Sequence, residues 1–311
     1  MITFLENKNN FSSIFVFIQQ PVFSCGKNVA ALVIARLVDQ GHLRYDAKVS
    51  EYWPEFGAND KGNLKVQDIL RHEGGLTTLK HSFQWNEFAT ESIKQNVIGN
   101  VIEKCKTVFP SNNYNSDGTV SKRGYHSVTR GLILNEIVRR VDPKGRTIGE
   151  ICRDDLQLED LYCGIKEAEL SRVTQLEAMS MGQVAKHTLL PYFLGSQVHI
   201  SIFDLYRLNN LVKSTRDRIG SQKPVYVNVP KEPYLGYKMM EEDEIRKGEL
   251  PSANFIGNAK GLGKLASVMA NKGKNSNSED RIISEETWDK MHGNAILAQD
   301  AVLGRLRNLL T

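Results

Sequence analysis

The chain has little cysteine, no concentrated positive charge and no long apolar run, and each shortage narrows what it can be. Its four cysteines stand at positions 25, 105, 152 and 163 of 311 residues. No Cys-x-x-Cys pair occurs, and the spacing fits no zinc-binding pattern. A chain this long buries enough apolar surface to fold without disulfides, so free thiols in a reducing, cytoplasmic setting are the expectation. Forty Lys and Arg residues against 36 Asp and Glu leave a formal charge of only +4, spread along the chain. A nucleic-acid binder gathers its basic residues on one face or helix. The nearest approach, Arg139-Arg140, falls near the end of an expected helix, where cations answer the macrodipole. Nucleic acid is therefore not an expected partner. The apolar run from Phe11 to Ile18 is far short of the roughly 20 residues that a membrane helix needs. With no basic leader before it and no clean small-residue cleavage site after it, it reads as a buried strand and not as a transmembrane or targeting segment.

What is present is ordinary globular material. Apolar residues make up 41% and charged residues 24%, enough for one large domain or two modest ones, with no internal repeat. The stretch Ala30 to Val38 is apolar nearly all round and predicts a central buried helix, stopped at Gly41. Val66 to Leu70 reads as a short helical turn ended by Gly74-Gly75. Residues 83–105 predict a further helix that buries Phe88, Ile93, Val97, Ile98 and Val101. A polar, Asn/Ser-rich loop is expected from Phe109 to Gly124. Helical spacing then returns from Ser127 to Val141, until Asp142-Pro143 stops it. Helices are expected at 147–156, 201–214, Ala259 to Ala270, 284–292 and 298–310, a strand at Val225 to Val229, and a flexible tract from Lys272 to Asp280. Residues 157–200 give no assignment. The pattern is helix-rich with few strands.

One tetrapeptide carries chemistry. Ser24-Cys25-Gly26-Lys27 opens the buried helix, and on a first helical turn positions i and i+3 share a face. A lysine whose ammonium form is disfavoured by burial can take the proton of a serine hydroxyl and make it a nucleophile. The competing reading makes Ser24 a helix cap. Lys27 argues against that, because a capping box wants Glu or Gln there and a cation opposes the dipole. Alone, so short a motif has low specificity. A second feature, Tyr125-His126-Ser127, sits at the start of the later helix, where a phenol can shuttle protons for a Ser–Lys pair. Its competing reading is an aromatic anchor, with Ser127 as the cap. Tyr114-Asn115-Ser116 has the same spacing but no helix follows it. His72-Glu73 lacks the second histidine of a zinc helix, and Gly257 to Lys264 lacks the spacing of a phosphate loop. The seven histidines are scattered and read as surface or core residues, and Cys25 as a buried inert thiol.

Five blocks stand in one order: Phe23-Ser24-Cys25-Gly26-Lys27, Leu37 to Leu43, Tyr45 to Val49, Tyr52 to Phe56, and Arg71-His72-Glu73-Gly74-Gly75-Leu76. Together they resemble the serine β-lactamase-related and penicillin-binding-protein family, especially its class C β-lactamase, esterase and D-aminopeptidase-like branch. Tyr125-His126-Ser127 falls where that family has Tyr-x-Asn or a close variant, and Pro251-Ser252-Ala253-Asn254 resembles its segment leading back to the sheet. The resemblance implies an α+β fold, with a helical region packed on an antiparallel sheet, in a single domain over residues 1–311. It implies that Ser24 is acylated, that Lys27 accepts its proton, that Tyr125 relays it, and that Ser127 contacts substrate. It implies no metal or organic cofactor, and an ester, amide or peptide-like carbonyl substrate. Two departures stand out: only about 23 residues precede the Ser-x-x-Lys, and no Lys-x-Gly or His-x-Gly occupies a suitable strand near the C-terminus. On this resemblance the domain is expected to lack N-terminal strands and the third-motif strand. Family analogy does not name a substrate, and a catalytically silent member with a binding or assembly role is the alternative.

Overall fold

A computed structural model describes residues 18–79, 81–108, 123–156, 158–176, 226–228, 240–275 and 280–293. Its core forms around α1 (Gly26–Asp39), which buries Val29, Ala30, Leu32, Val33, Ile34 and Leu37. A helix apolar nearly all round has little surface to offer water and belongs inside. The chain leaves it at Gly41, whose φ of 77° is the left-handed conformation that glycine adopts without penalty. Two short helices follow, α2 (Val49–Tyr52) and α3 (Val66–Leu70), with the fully buried Trp53 and Phe56 between them.

The helix expected over 83–105 is replaced by four shorter elements. These are β2 (Ser82–Gln84), a 3-10 turn (Trp85–Phe88), α4 (Thr90–Lys94) and α5 (Val97–Lys104). The break lies at Asn96, with φ 64°, a conformation asparagine tolerates better than most residues. Its Oδ1 accepts hydrogen bonds from Arg139 and Arg140 at 2.5 and 2.6 Å. Both arginines are also paired with the buried Glu136, so the asparagine is drawn onto that ionic cluster. Phe88, Ile93 and Ile98 are buried as expected, whereas Val97 and Val101 are only half-buried and Ile102 takes the core position.

The helix expected from Ser127 begins at Thr129 and runs to Val141 as α6; it packs on α1 and buries Leu132, Ile133, Ile137 and Val138. α7 (Ile148–Asp154) is capped by Thr147, which accepts from the Glu150 N–H. Then come α8 (Asp243–Lys247), α9 (Ala259–Ala270) and α10 (Glu285–His292). α10 is tied to the end of α1 because Asp39 accepts from Ser284 and Thr287. Among the described residues the main sheet has three strands in the order β1 (Gln20–Pro21), β5 (Ile256–Gly257), β3 (Leu161–Tyr162), all antiparallel. β2 pairs in parallel with β4 (Tyr226–Asn228), inside the expected strand at Val225 to Val229. The architecture is α+β, helix-rich around a small antiparallel sheet. The readings at 11–17, 109–122, 201–214, 276–279 and 298–310 lie outside the described residues.

Two glycines let the turn at Pro251–Ser252 come down on the starts of α1 and α6. A Cβ at Gly26 would lie 2.7 Å from the Pro251 carbonyl oxygen, and one at Gly131 only 2.4 Å from the Ser252 nitrogen. The gap left at Gly131 is filled by a hydrogen bond from its own N–H to Ser252 Oγ, 2.8 Å. Gly131→Ala is therefore expected to destabilise the fold by about 1–3 kcal/mol, the usual cost of overpacking. Denaturant unfolding of the variant checks this.

Candidate active site

The chain enters α1 through a 3-10 turn, Phe23–Cys25, and Phe23 has φ 47°. A bulky residue in that region is strained. It is held there by bonds on either side, Val22 N–H to the Phe255 carbonyl (2.8 Å) and Cys25 N–H to the Val22 carbonyl (3.1 Å). Ser24 is consequently displayed at the surface, at the mouth of a buried helix. It is no cap: neither the turn nor α1 has a side-chain cap hydrogen bond. Its Oγ lies 2.9 Å from the Tyr125 hydroxyl and 3.2 Å from Lys27 Nζ. The three residues singled out in the sequence thus meet at one oxygen, although Tyr125 is 101 positions from Ser24.

Lys27 is held from the other side by two backbone carbonyls. Its Nζ donates to the Ser127 oxygen at 2.7 Å and to the Ser252 oxygen at 2.8 Å. No carboxylate is among these partners. Burial first, and then the Arg130 guanidinium, lower its pKa from the usual 10.5 to about 7. Its Nζ also lies 4.9 Å from the centre of the Tyr125 ring. Ser127 enters this arrangement through its carbonyl, and its side chain is exposed and does not cap α6. Arg130 is buried, donating to the carbonyls of Leu70 (3.1 Å) and Lys27 (3.1 Å), so it clamps α3 and α1 together while lending its charge to the site.

Four residues around this centre were not legible as site residues. His72 has no second histidine at zinc-helix spacing, yet its ring lies 4.9 Å from that of Tyr125. His126 is fully buried beneath it, while Arg130 and Ser252 are brought in only by packing. The signal for the histidines was their placement, one two residues before Gly74-Gly75 in the last of the five blocks and the other directly after Tyr125. Cys25 corrects a second expectation. It is exposed, because the 3-10 turn directs it outward, whereas Cys152 and Cys163 are buried free thiols. Among the described residues no three His, Cys, Asp or Glu side chains gather as a metal site, and no helix is long and apolar enough to cross a membrane.

Comparison with known proteins gives this geometry a family. A sequence model of the beta-lactamase family matches residues 19–305, nearly the whole chain. Esterase/beta-lactamase LipL of Mycobacterium tuberculosis is 27% identical over 258 residues, 81% of this chain and 51% of the relative. The chain thus spans about half the length of that curated relative. A penicillin-binding protein homologue from Caulobacter crescentus superposes with a TM-score of 0.64 at 26% identity, covering 92% of this chain and 64% of the other. A family VIII carboxylesterase gives 0.66 at 22% identity over the same shares, a likeness of fold. With the match running from the first strand through α1 and beyond α10, the chain belongs to the beta-lactamase family.

Proposed function

We propose that this protein is a serine hydrolase that forms an acyl-enzyme at Ser24 with an ester-type carbonyl substrate. The observation that carries the reading is the hydrogen bonding of Lys27. A neutral amine has two hydrogens and one lone pair. With both hydrogens donated to the Ser127 and Ser252 carbonyls, the lone pair is left for the third neighbour, the Ser24 hydroxyl. That is the arrangement of a general base, and a pKa near 7 leaves much of the amine neutral at physiological pH.

In this mechanism Lys27 takes the hydroxyl proton as Ser24 Oγ bonds to the substrate carbonyl carbon, and the C=O π pair moves onto oxygen. The positive end of α1 favours that developing charge. Collapse of the tetrahedral intermediate re-forms the carbonyl and breaks the bond to the alcohol oxygen. Tyr125, 2.9 Å from Ser24, protonates the departing oxygen and recovers its proton from the Lys27 ammonium. A water deprotonated by the same groups then hydrolyses the acyl-enzyme. Phe23, 40% exposed and adjacent to Ser24, offers an apolar surface to an acyl or alcohol group. This supports an ester ahead of a charged peptide, as do the esterase names of two similar proteins.

The test is labelling with a fluorophosphonate ester and mass mapping of the adduct. One adduct on Ser24, lost in Ser24→Ala, is the expected result. A folded protein with no adduct above the Ser24→Ala background would overturn the reading and leave a binding or assembly role.

A further inference from the structure

Tyr125 rests on two histidines whose protonation states are dictated by backbone groups. His126 Nε2 lies 2.9 Å from the Leu76 N–H, an obligate donor, so this nitrogen carries no proton. Its Nδ1 lies 2.5 Å from the Gly124 carbonyl, an obligate acceptor, so this nitrogen does. His72 is the reverse. Its Nδ1 accepts from the His126 backbone N–H at 3.0 Å, which leaves the proton of the neutral ring on Nε2. The His72 ring neighbours both of the others, 4.9 Å from that of Tyr125 and 5.6 Å from that of His126. His72 itself is held at φ 63°, and its carbonyl accepts from the Gly124 N–H at 3.0 Å. One residue further out on each segment, the buried Glu73 and Arg123 pair at 2.7 Å. The segment carrying Tyr125 is therefore stapled to the segment 72–76 on both sides of the tyrosine.

The charges facing these rings are nearly all positive. Lys27 from α1, Arg130 from α6 and Arg123 from the tyrosine segment face His72, and Arg130 faces His126. The carboxylate of Glu73 is engaged by Arg123, with Arg71 and Asp68 of the α3 region beyond it. A protonated imidazole here would lose an accepted hydrogen bond and add a cation to a cationic site. Burial and these neighbours hold the His72 pKa far below the ordinary histidine value, and burial holds that of His126 down at about 4.

We propose that His72 and His126 are positioning residues: two imidazoles locked neutral in opposite tautomers, which fix the Tyr125 ring so that its hydroxyl stays within reach of Ser24. The proposal rests on the functional reading above. Its role for the histidines is to supply shape without charge, so that no further cation pushes the Lys27 pKa below the value that burial and Arg130 set.

The experiment pairs a double-mutant cycle with nitrogen NMR. His72→Phe keeps a flat ring but loses the acceptor; His72→Asn places Oδ1 where Nδ1 was and tolerates the left-handed backbone. On the rate of hydrolysis of an alkyl ester, whose departing alcohol needs a proton, His72→Phe is expected to lose about tenfold and Tyr125→Phe about 10², within the range of positioned acid–base groups. If His72 acts through Tyr125, the double variant is no slower than Tyr125→Phe alone, and His72→Asn recovers most of the wild-type rate. The pH at which labelling switches on stays at the Lys27 value throughout. Multiplicative losses, or a His72→Asn variant that folds but is as slow as His72→Phe, would overturn the proposal. Independently of activity, the wild-type spectra should show a proton on Nε2 of His72 and on Nδ1 of His126, with neither ring titrating between about pH 5 and 8, the window of an ordinary histidine. Titrating rings in a protein that labels at Ser24 would overturn the positioning role alone. Failure of the wild type to label would overturn the functional reading and this role with it, whatever the tautomers.

Discussion

Replacing Lys27 with methionine is expected to slow acylation of Ser24 by roughly 10²–10⁴-fold, the usual worth of a positioned general base. Methionine fills the same volume but offers no lone pair to Ser24 Oγ, which now lies 3.2 Å from Nζ. Arginine should be no better, since its guanidinium does not give up a proton at any working pH. In the wild type the active form is the neutral amine. The labelling rate should therefore rise with pH, bend near 7 and level off above it, following a lysine held at about 7 by burial and by Arg130. A rate profile measured across that bend checks the assignment. A bend left in place in the methionine variant would show that another group carries it. The same pKa makes a statement about stability. Between about 7 in the fold and the usual 10.5 in the unfolded chain, the unfolded state binds the extra proton. Stability contributed by this residue thus increases as pH rises through that window, and the penalty is greatest below 7. Lys27→Met should remove that slope, which denaturant unfolding at either end of the window would reveal.

The dependence of Lys27 on Ser127 and Ser252 marks where the sequence stops being informative. Ser24, Lys27 and Tyr125 were readable because short-range rules constrain them: i and i+3 on one helical turn, and a tyrosine at a loop–helix junction. The apolar wrap of Val29 to Leu37 likewise announced α1, and Gly41 its end. The acceptors that tune Lys27 were hidden, because they are backbone carbonyls, 100 and 225 positions away, and any residue type supplies one. What selects them is the close approach permitted by Gly26 and Gly131, and nothing in either segment names its partner. The break at Asn96 was missed for a related reason. Apolar spacing on 83–105 is compatible with a helix, and the decisive term is the pull of Arg139 and Arg140 from a distant helix. His126 is buried, in keeping with a histidine read as a core residue, but the bond from its backbone N–H to His72 Nδ1 joins positions 54 apart and has no signature in either segment.

Glu249→Leu is expected to cost about 3 kcal/mol or more, because it strips one acceptor group from several buried donors at once. The Glu249 side chain is buried, and its two oxygens collect four hydrogen bonds from three separate helical regions. Oε1 accepts from Thr90 Oγ1 at 2.9 Å and Thr147 Oγ1 at 2.7 Å; Oε2 accepts from Asn135 Nδ2 at 3.1 Å and the Gly149 N–H at 3.1 Å. Burial raises its carboxyl above the ordinary value, and the donors from Thr147, Thr90, Gly149 and Asn135 oppose that rise. The donors are not equivalent. Gly149 has only an N–H to give, and the Asn135 amide is fixed because its Oδ1 accepts from the Ile148 N–H at 2.7 Å. The two threonine hydroxyls can rotate and accept instead. Glu249→Gln should therefore settle with its oxygen toward Gly149 and Asn135 and its amide toward the threonines, at a cost of about 1 kcal/mol, that of one ordinary hydrogen bond. Denaturant unfolding of the pair separates the two ideas: equal losses would mean that the donor pattern is not as described, and a harmless leucine would mean that the hub does not hold the fold. The consequence reaches the site, since Glu249 anchors the chain just before the Leu250–Asn254 turn, and that turn presents the Ser252 carbonyl to Lys27. At a temperature where both variants remain folded, the leucine variant should also label at Ser24 more slowly than the glutamine one. One of the two carbonyls that direct the Lys27 lone pair would then no longer be held in place.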